Sequence, residues 1–172
     1  MVHPLISHFQ RLACYNTLAN QRLYSACAEL TDAERQQMRP AFFKSIHNTL
    51  NHILVGDRIW MTRFSGGEIA STGLDAILYE NFDQLWQARQ QEDAKIETFF
   101  QHFDETRFDQ TIRYRNNAGN IHDDPIDILI MHFFNHQTHH RGQIHDMLSQ
   151  TIVQPPSLDL HRILRPEPKN KI

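Results

Sequence analysis

The sequence predicts an all-α fold: an antiparallel four-helix bundle with long connections and a short hairpin between the third and fourth helices. Apolar residues recur every three or four positions along four long stretches, which is the spacing of one buried helix face. Proline, glycine and short polar side chains separate these stretches and mark where helices begin and end. Bundles of this class build metal and cofactor sites from side chains on facing helices.

The length and composition favour a single domain over residues 1–172. The chain has 40% hydrophobic and 22% charged residues, which are ordinary values for a soluble globular protein. A net charge of −3 provides no basic surface for nucleic acid or for an anionic membrane. No apolar run approaches the roughly 18 residues of a membrane span, and no signal peptide is visible at the N-terminus. We therefore expect a cytoplasmic protein with no nucleic-acid or membrane partner.

The first two helices are predicted over residues 4–30 and 40–63. Helical spacing in the first helix is shown by Leu5, Phe9, Leu12, Ala19 and Leu23. A Thr-Asp pair then starts a short turn over residues 33–38. Pro40 fits the first turn of the second helix, because the N–H that proline lacks has no helical partner there.

A long polar loop is predicted between the second and third helices. Residues 69–78 exceed the usual length of a connection, so we expect this loop to cover a site. The third helix follows over residues 81–104, with Leu85 and Phe100 on its apolar face and several glutamines on its outer face.

The pattern changes between residues 111 and 121, where an Asn-Ala-Gly-Asn turn between short apolar segments predicts a hairpin. Asp123 and Asp124 are expected to cap the fourth helix, with Pro125 in its first turn and its end near residue 150. The tail over residues 157–172 should lie across the bundle through its apolar strip, Leu158, Leu160, Ile163 and Leu164.

Four of the twelve histidines fall within residues 132–143. His136 and His140 are four residues apart, so a helix presents both imidazoles on one face, as in helical zinc sites with His-x-x-x-His spacing. A third ligand must come from another helix, and His52 is the best candidate. The alternative is that these are ordinary helix residues, which is the commoner role of a single histidine. A buried cluster without metal, however, leaves ring nitrogens unsatisfied at roughly 1–3 kcal/mol each.

Three neutral imidazoles with an open fourth position are typical of catalytic metal sites, since structural zinc sites are closed by four protein ligands. Imidazole also suits nickel, copper and iron(II), so the ligand type alone does not decide the metal. His132, one turn before His136, is a weaker candidate ligand, and His139 should face the flank of the helix. We also place His47 outside the site, because it is not expected on the same helix face as His52, and we expect His145 and His161 at the surface.

The sequence also suggests roles for residues near the histidines and for the two cysteines. Asp57 is either an acceptor for a ligand's ring N–H or an interhelical salt-bridge carboxylate. Arg141 is expected to pair with Asp57 or with another buried carboxylate, and Gly142 to allow close helix packing. Cys14 and Cys27 lie too far apart on one helix for a disulfide, and both are predicted to be buried small apolar residues.

Two of these stretches resemble the DinB family of DinB/YfiT-like metalloenzymes. They are residues 52–60 (His-Ile-Leu-Val-Gly-Asp-Arg-Ile-Trp) and residues 135–143 (Asn-His-Gln-Thr-His-His-Arg-Gly-Gln). The Leu-Trp-Gln-Ala-Arg stretch at 85–89 and the Pro-Pro-Ser-Leu-Asp-Leu stretch at 155–160 are also similar to the family, so the resemblance spans nearly the whole chain.

The resemblance implies an antiparallel four-helix bundle, often dimeric, with zinc or nickel on a three-histidine site formed by His52, His136 and His140. Some relatives are thiol-dependent S-transferases or isomerases that use low-molecular-weight thiols. The first functional hypothesis is accordingly a metal-dependent enzyme, with thiol S-transferase or hydrolase-like activity. The second is a non-catalytic metal-binding protein of the stress response, and the third is a purely structural helical protein that self-associates.

Overall fold

The computed structural model describes residues 4–67 and 73–166, and these residues are mostly helical. Within those ranges there are six α-helices: α1 (Pro4–Ala28), α2 (Asp32–Gln36), α3 (Ile46–Phe64), α4 (Phe82–Gln101), α5 (Ile126–Ser149) and α6 (Leu160–Leu164). A 3-10 helix (Glu105–Asp109) and two strands, β1 (Thr111–Arg115) and β2 (Ile121–Pro125), lie between α4 and α5. None of the described helices is long and apolar enough to cross a membrane.

The four long helices each pack against two others. Both α1 and α3 contact α4 and α5. Each long helix passes through two apolar clusters, and a buried polar layer lies between them. In α1 and α5 the phenylalanine-rich cluster comes first along the chain, whereas in α3 and α4 it comes last. The pair α1 and α5 therefore runs in the direction opposite to α3 and α4.

The second long helix begins later than the sequence predicted. It starts at Ile46 rather than at Pro40, because Ser45 has extended backbone and its side chain accepts a hydrogen bond from the backbone N–H of Asn48. Lys44 has a φ of 69°, which the right-handed helix does not allow. The segment between Pro40 and Ser45 is consequently an irregular turn that carries Phe43 toward the core.

The hairpin prediction is confirmed, but the predicted cap of the fourth long helix is wrong. The strands pair antiparallel, with Thr111 opposite Pro125 and Arg115 opposite Ile121. Asp123 and Asp124 thus belong to β2, and the N-cap of α5 is Pro125, without a side-chain cap. Cross-strand pairing decides the backbone of the two aspartates, and the Tyr114 hydroxyl donates to Asp124 at 2.9 Å.

The described part of the tail packs on α1. Ile163 is buried with Tyr15 and Ala19, and Leu158 and Leu164 pack against them. The Tyr15 hydroxyl donates to the carbonyl of Leu158 at 2.8 Å. Leu160, the first residue of α6, is exposed, contrary to the prediction. The predicted tail residues 167–172 lie outside the described residues.

Candidate metal centre

The three histidines singled out by the sequence come together in space. His52 on α3 faces His136 and His140 on α5, and its Nε2 atom lies 3.1 Å from the Nε2 atom of each. One ligand nitrogen from each ring lies within 4.8 Å of the other two. The helical spacing explains the α5 pair, because residues four apart share a face. The contact between α3 and α5 supplies the third ring.

The outer hydrogen bonds of two rings fix which nitrogen faces the cluster. The Nδ1–H of His52 donates to the carbonyl of Leu74 at 2.7 Å, and the Nδ1–H of His140 donates to Oε1 of Gln143 at 2.8 Å. A neutral imidazole carries a proton on one ring nitrogen, so Nε2 of both residues holds a lone pair. These lone pairs face each other across 3.1 Å with no proton between them.

The ring positions fit a single divalent cation. Two nitrogens bound to one tetrahedral metal ion at about 2.0–2.1 Å lie about 3.3 Å apart. The two 3.1 Å separations at His52 are close to that value. A cation would also turn the facing lone pairs from a repulsive contact into ligand bonds. The cluster is therefore able to hold a metal ion.

The surroundings keep the imidazoles neutral. Burial, together with the neighbouring histidines, lowers the pKa of His136 from 6.5 to about 3. Burial lowers the pKa of His140 to about 4, against the opposing effect of its bond to Gln143. The pKa of His52 is also lowered by burial. Phe43 stacks on the His52 ring, with centroids 3.8 Å apart. Because metals bind the neutral form of imidazole, this environment keeps the rings available for ligation down to mildly acidic pH.

Gly56 makes room for the His136 ring. A Cβ atom added at Gly56 would lie 2.9 Å from Cε1 and 3.4 Å from Nδ1 of His136. Gly56 follows His52 by one helical turn, so it lies beside the place where α5 delivers its imidazoles. The absence of a side chain at this position lets His136 approach α3.

A buried polar layer connects the three-histidine cluster to all four long helices. Asp57 accepts hydrogen bonds from Arg89 at 2.5 Å and from Gln137 at 2.7 Å. Arg89 also pairs with Asp93 at 3.0 Å. Gln137 directly follows His136, so its bond to Asp57 fixes α5 against α3 next to the site. The layer is completed by Asn16 and Asn20 of α1, which donate to Asp93.

The contacts in this layer show which of the two predicted roles Asp57 has. They also correct the predicted partner of Arg141. Asp57 is an interhelical salt-bridge carboxylate, and burial raises its pKa to about 6. Arg141 does not pair with Asp57. Its guanidinium donates to the side-chain oxygens of Asn16 and Asn20 and lies 5.3 Å from the centroid of the Tyr15 ring.

Five further histidines considered from the sequence lie outside the cluster. His132 is exposed and packs edge-on against Trp60, with its ring 5.9 Å from that of His136. His139 is exposed on the flank of α5, as predicted. His47 is buried and its Nε2 lies 2.9 Å from the carbonyl of Tyr79. Of the two expected at the surface, His161 is exposed and His145 is half-buried.

Two smaller predictions are wrong. A Cβ atom added at Gly142 would meet nothing within 4 Å among the residues described, so close helix packing does not explain this glycine. Cys27 is buried as predicted, but Cys14 is exposed, because it lies on the outer face of α1.

Several residues that shape the centre were not assigned this role from the sequence. Leu74 contacts His52 through its backbone carbonyl, and a backbone contact cannot be predicted from the residue type. The contact shows that the predicted loop reaches the site at Leu74, although residues 69–72 lie outside the described residues. Gln143 had a detectable signal, since it follows His140 by three positions on one helix face. The role of Phe43 depends on the irregular turn before α3, where the sequence predicted helix.

The fold and the cluster together define a helical protein with a three-imidazole site able to hold a divalent metal ion. The sequence model of the DinB family matches residues 3–171, so the chain belongs to the DinB family. It is also similar to Protein DinB of Bacillus subtilis (strain 168). The two are 28% identical over 146 residues, which cover 79% of this chain and 81% of that relative.

Proposed function

We propose that this protein binds one divalent metal ion, zinc or nickel, through His52, His136 and His140. The observation that carries the proposal is the pair of Nε2 lone pairs facing each other at 3.1 Å, because each outer Nδ1–H is engaged by an acceptor. Without a cation the two lone pairs repel each other, and this repulsion destabilises the folded protein. Membership of the DinB family supports the same assignment.

The architecture that holds the metal is proposed to be an antiparallel four-helix bundle in one domain. The opposite directions of the α1/α5 and α3/α4 pairs support it, as does the buried polar layer to which all four long helices contribute. Ligands from two facing helices are the usual construction of metal sites in such bundles. The hairpin and the tail are additions at its periphery.

We propose that the site is catalytic and that it acts on a low-molecular-weight thiol or a hydrolysable substrate. A bound divalent cation lowers the pKa of a thiol or water at its open position and polarises substrate oxygen atoms. His52, His136 and His140 supply three ligands, which leaves a position for substrate. Their neutral, partly buried rings exclude bulk water from one side, and Phe43 covers the His52 ring.

A non-catalytic metal-binding role is the second candidate. It rests on the same three histidines, because the group found among the described residues includes no carboxylate or thiol that could act as a general base or nucleophile. Asp57 is fully buried and engaged by Arg89 and Gln137, so it does not offer a free general base. On this reading the metal stabilises the fold and no turnover accompanies it.

Elemental analysis and a metal-dependent activity screen test these proposals together. The purified protein should contain about one zinc or nickel per chain, and His136→Ala should contain none. Metal-loaded protein would then be assayed with thiols and electrophiles, with His136→Ala as the control. Metal-dependent thiol conjugation that is lost in the variant supports the enzyme. Stoichiometric metal without turnover over a broad panel supports the second candidate, and no metal at all contradicts both.

The protein is further proposed to be a homodimer, as the family resemblance implies. Ile128 and Met131 lie three positions apart on α5 and are 53% and 49% exposed, which supplies an apolar patch on one helix face. Light scattering coupled to size exclusion should give twice the chain mass. A monomer at micromolar concentration would contradict this proposal.

A further inference from the structure

The Nδ1–H of His140 donates a hydrogen bond to a side chain, whereas the Nδ1–H of His52 donates to a main-chain carbonyl. The Nδ1–H of His140 donates to Oε1 of Gln143 at 2.8 Å. The amide N–H of Gln143 in turn donates to Nε2 of His139, 3.1 Å away. Residues three and four apart on a helix are neighbours, so Gln143 lies over both rings at once.

The orientation of the Gln143 amide decides where the proton of His140 sits. With the oxygen toward His140, Nδ1 keeps the proton and Nε2 offers its lone pair to the cluster. With the amide reversed, an N–H would face Nδ1, which would then have to accept. The proton would move to Nε2, which lies 3.1 Å from Nε2 of His52, and the metal-binding lone pair would be lost.

In the structure the Gln143 amide nitrogen points toward Nε2 of His139, and the amide oxygen points toward Nδ1 of His140. Packing does not require a glutamine here. The side chain is half-buried and lines an open cavity of about 460 Å³ between residues 39–42 and the outer face of α5.

We propose that Gln143 is a positioning residue that holds His140 in the Nδ1–H tautomer. This inference rests on the proposed metal-binding function of the three-histidine cluster. It gives Gln143, three residues after His140 on the same helix, a role other than metal ligation.

The test compares Gln143→Leu, which accepts no hydrogen bond, with Gln143→Glu, which still accepts from Nδ1–H. Gln90→Leu is the matched control, because Gln90 is exposed on α4 away from the cluster. Zinc affinity is measured by competition with a chromophoric chelator. Losing an outer partner of a ligating histidine typically weakens metal binding about 10–100-fold, which is the effect expected for Gln143→Leu. Gln143→Glu and Gln90→Leu should retain the wild-type affinity.

The tautomer of His140 is the second readout, and loss of packing alone would not move it. Two-bond ¹H–¹⁵N spectra of the metal-free protein should show the proton on Nδ1 in the wild type and in Gln143→Glu. In Gln143→Leu the Nε2–H form should appear. Retention of Nδ1–H in Gln143→Leu would overturn the inference, as would equal loss of zinc affinity in the two Gln143 variants.

Failure of this inference is distinguishable from failure of the proposed function. If the wild-type protein binds neither zinc nor nickel, metal binding itself is wrong. The metal-free spectra still decide whether Gln143 controls the His140 tautomer.

Discussion

Gly56 on α3 lies directly against the imidazole of His136 on α5, and an added Cβ atom would stand 2.9 Å from Cε1 of that ring. Real Cβ atoms essentially never show so short a contact. The ring would have to move away from α3, and with it the Nε2 atom that faces His52. The glycine thus helps to shape the three-histidine cluster although it offers no ligand atom.

Gly56→Val should therefore weaken metal binding by at least about tenfold, since a displaced ligand loses its alignment with the other two. Gly142→Val is the matched control. It introduces the same β-branched side chain into a helix, but its Cβ meets nothing within 4 Å among the described residues. Isothermal titration with zinc measures both affinities. An equal loss in the two variants would mean that valine acts through helix propensity and not through His136.

Metal binding should raise the thermal stability of the protein. A ligand that binds only the folded state stabilises it by about 2.7 kcal/mol when present at 100 times its Kd. The midpoint of thermal unfolding should rise with added zinc or nickel, and His52→Ala should abolish the rise. His145→Ala is the control, because His145 lies on α5 outside the cluster. A normal shift in His52→Ala would remove His52 from the ligand set.

The metal-free protein should lose stability as the pH falls from about 6.5 toward 4. The folded pKa of His136 is about 3 and that of His140 about 4, both below the ordinary 6.5. The unfolded chain therefore binds more protons in this window, so the free energy of unfolding decreases as the pH falls. Asp57 opposes this trend, because its raised folded pKa of about 6 adds stability as the pH falls below 6.

Comparison with a variant isolates the histidine contribution, since the contribution of Asp57 is common to both proteins. His136→Gln should show a shallower decrease in the free energy of unfolding between pH 6.5 and 5 than the wild type. Urea titrations of the metal-free proteins at several pH values measure this difference. Parallel curves for the two proteins would show that the pKa of His136 is not lowered by folding.

The sequence predicted that His52, His136 and His140 come together, and it predicted the order of the long helices and the hairpin, because these features follow largely from spacing along the chain. His136 and His140 share a helix face whatever surrounds them. The errors fall where tertiary contacts override local signals. Asp123 and Asp124 have the residue types of a helix cap, but pairing with β1 places them in a strand. Pro40 has the type of a helix start, yet Ser45 provides the cap that α3 uses.

The contacts that tune the site were harder to predict for a related reason. Leu74 reaches His52 through a backbone carbonyl, and its identity carries no signal for that contact. Gly56 and His136 are eighty positions apart in the sequence, so their contact follows only from the way α3 packs on α5. Arg89 pairs with Asp57 and Asp93, and the pairing with Asp57 depends on the way α3 packs on α4.

Arg89 should be the most costly charged residue to remove. It is 1% exposed and joins Asp57 to Asp93, so Arg89→Leu would leave two buried carboxylates without their shared cation. Breaking a buried ion pair in this way typically costs about 3–5 kcal/mol. The three-histidine cluster would be affected as well, because Asp57 also accepts a hydrogen bond from Gln137, which is next to His136 in the sequence. Urea denaturation should therefore show a large loss of stability, together with weaker zinc binding.

Arg113→Leu is the control for this effect, because Arg113 also pairs with an aspartate but does so in solvent. Its nitrogen lies 3.7 Å from Asp123, and both side chains are more than half exposed. Exposed pairs contribute about 0–1 kcal/mol, since water screens the charges and both side chains lose freedom when they pair. Equal losses in Arg89→Leu and Arg113→Leu would contradict the structural importance of the buried layer. A large loss confined to Arg89→Leu would show that this layer, and not the number of ion pairs, holds the helices around the histidines.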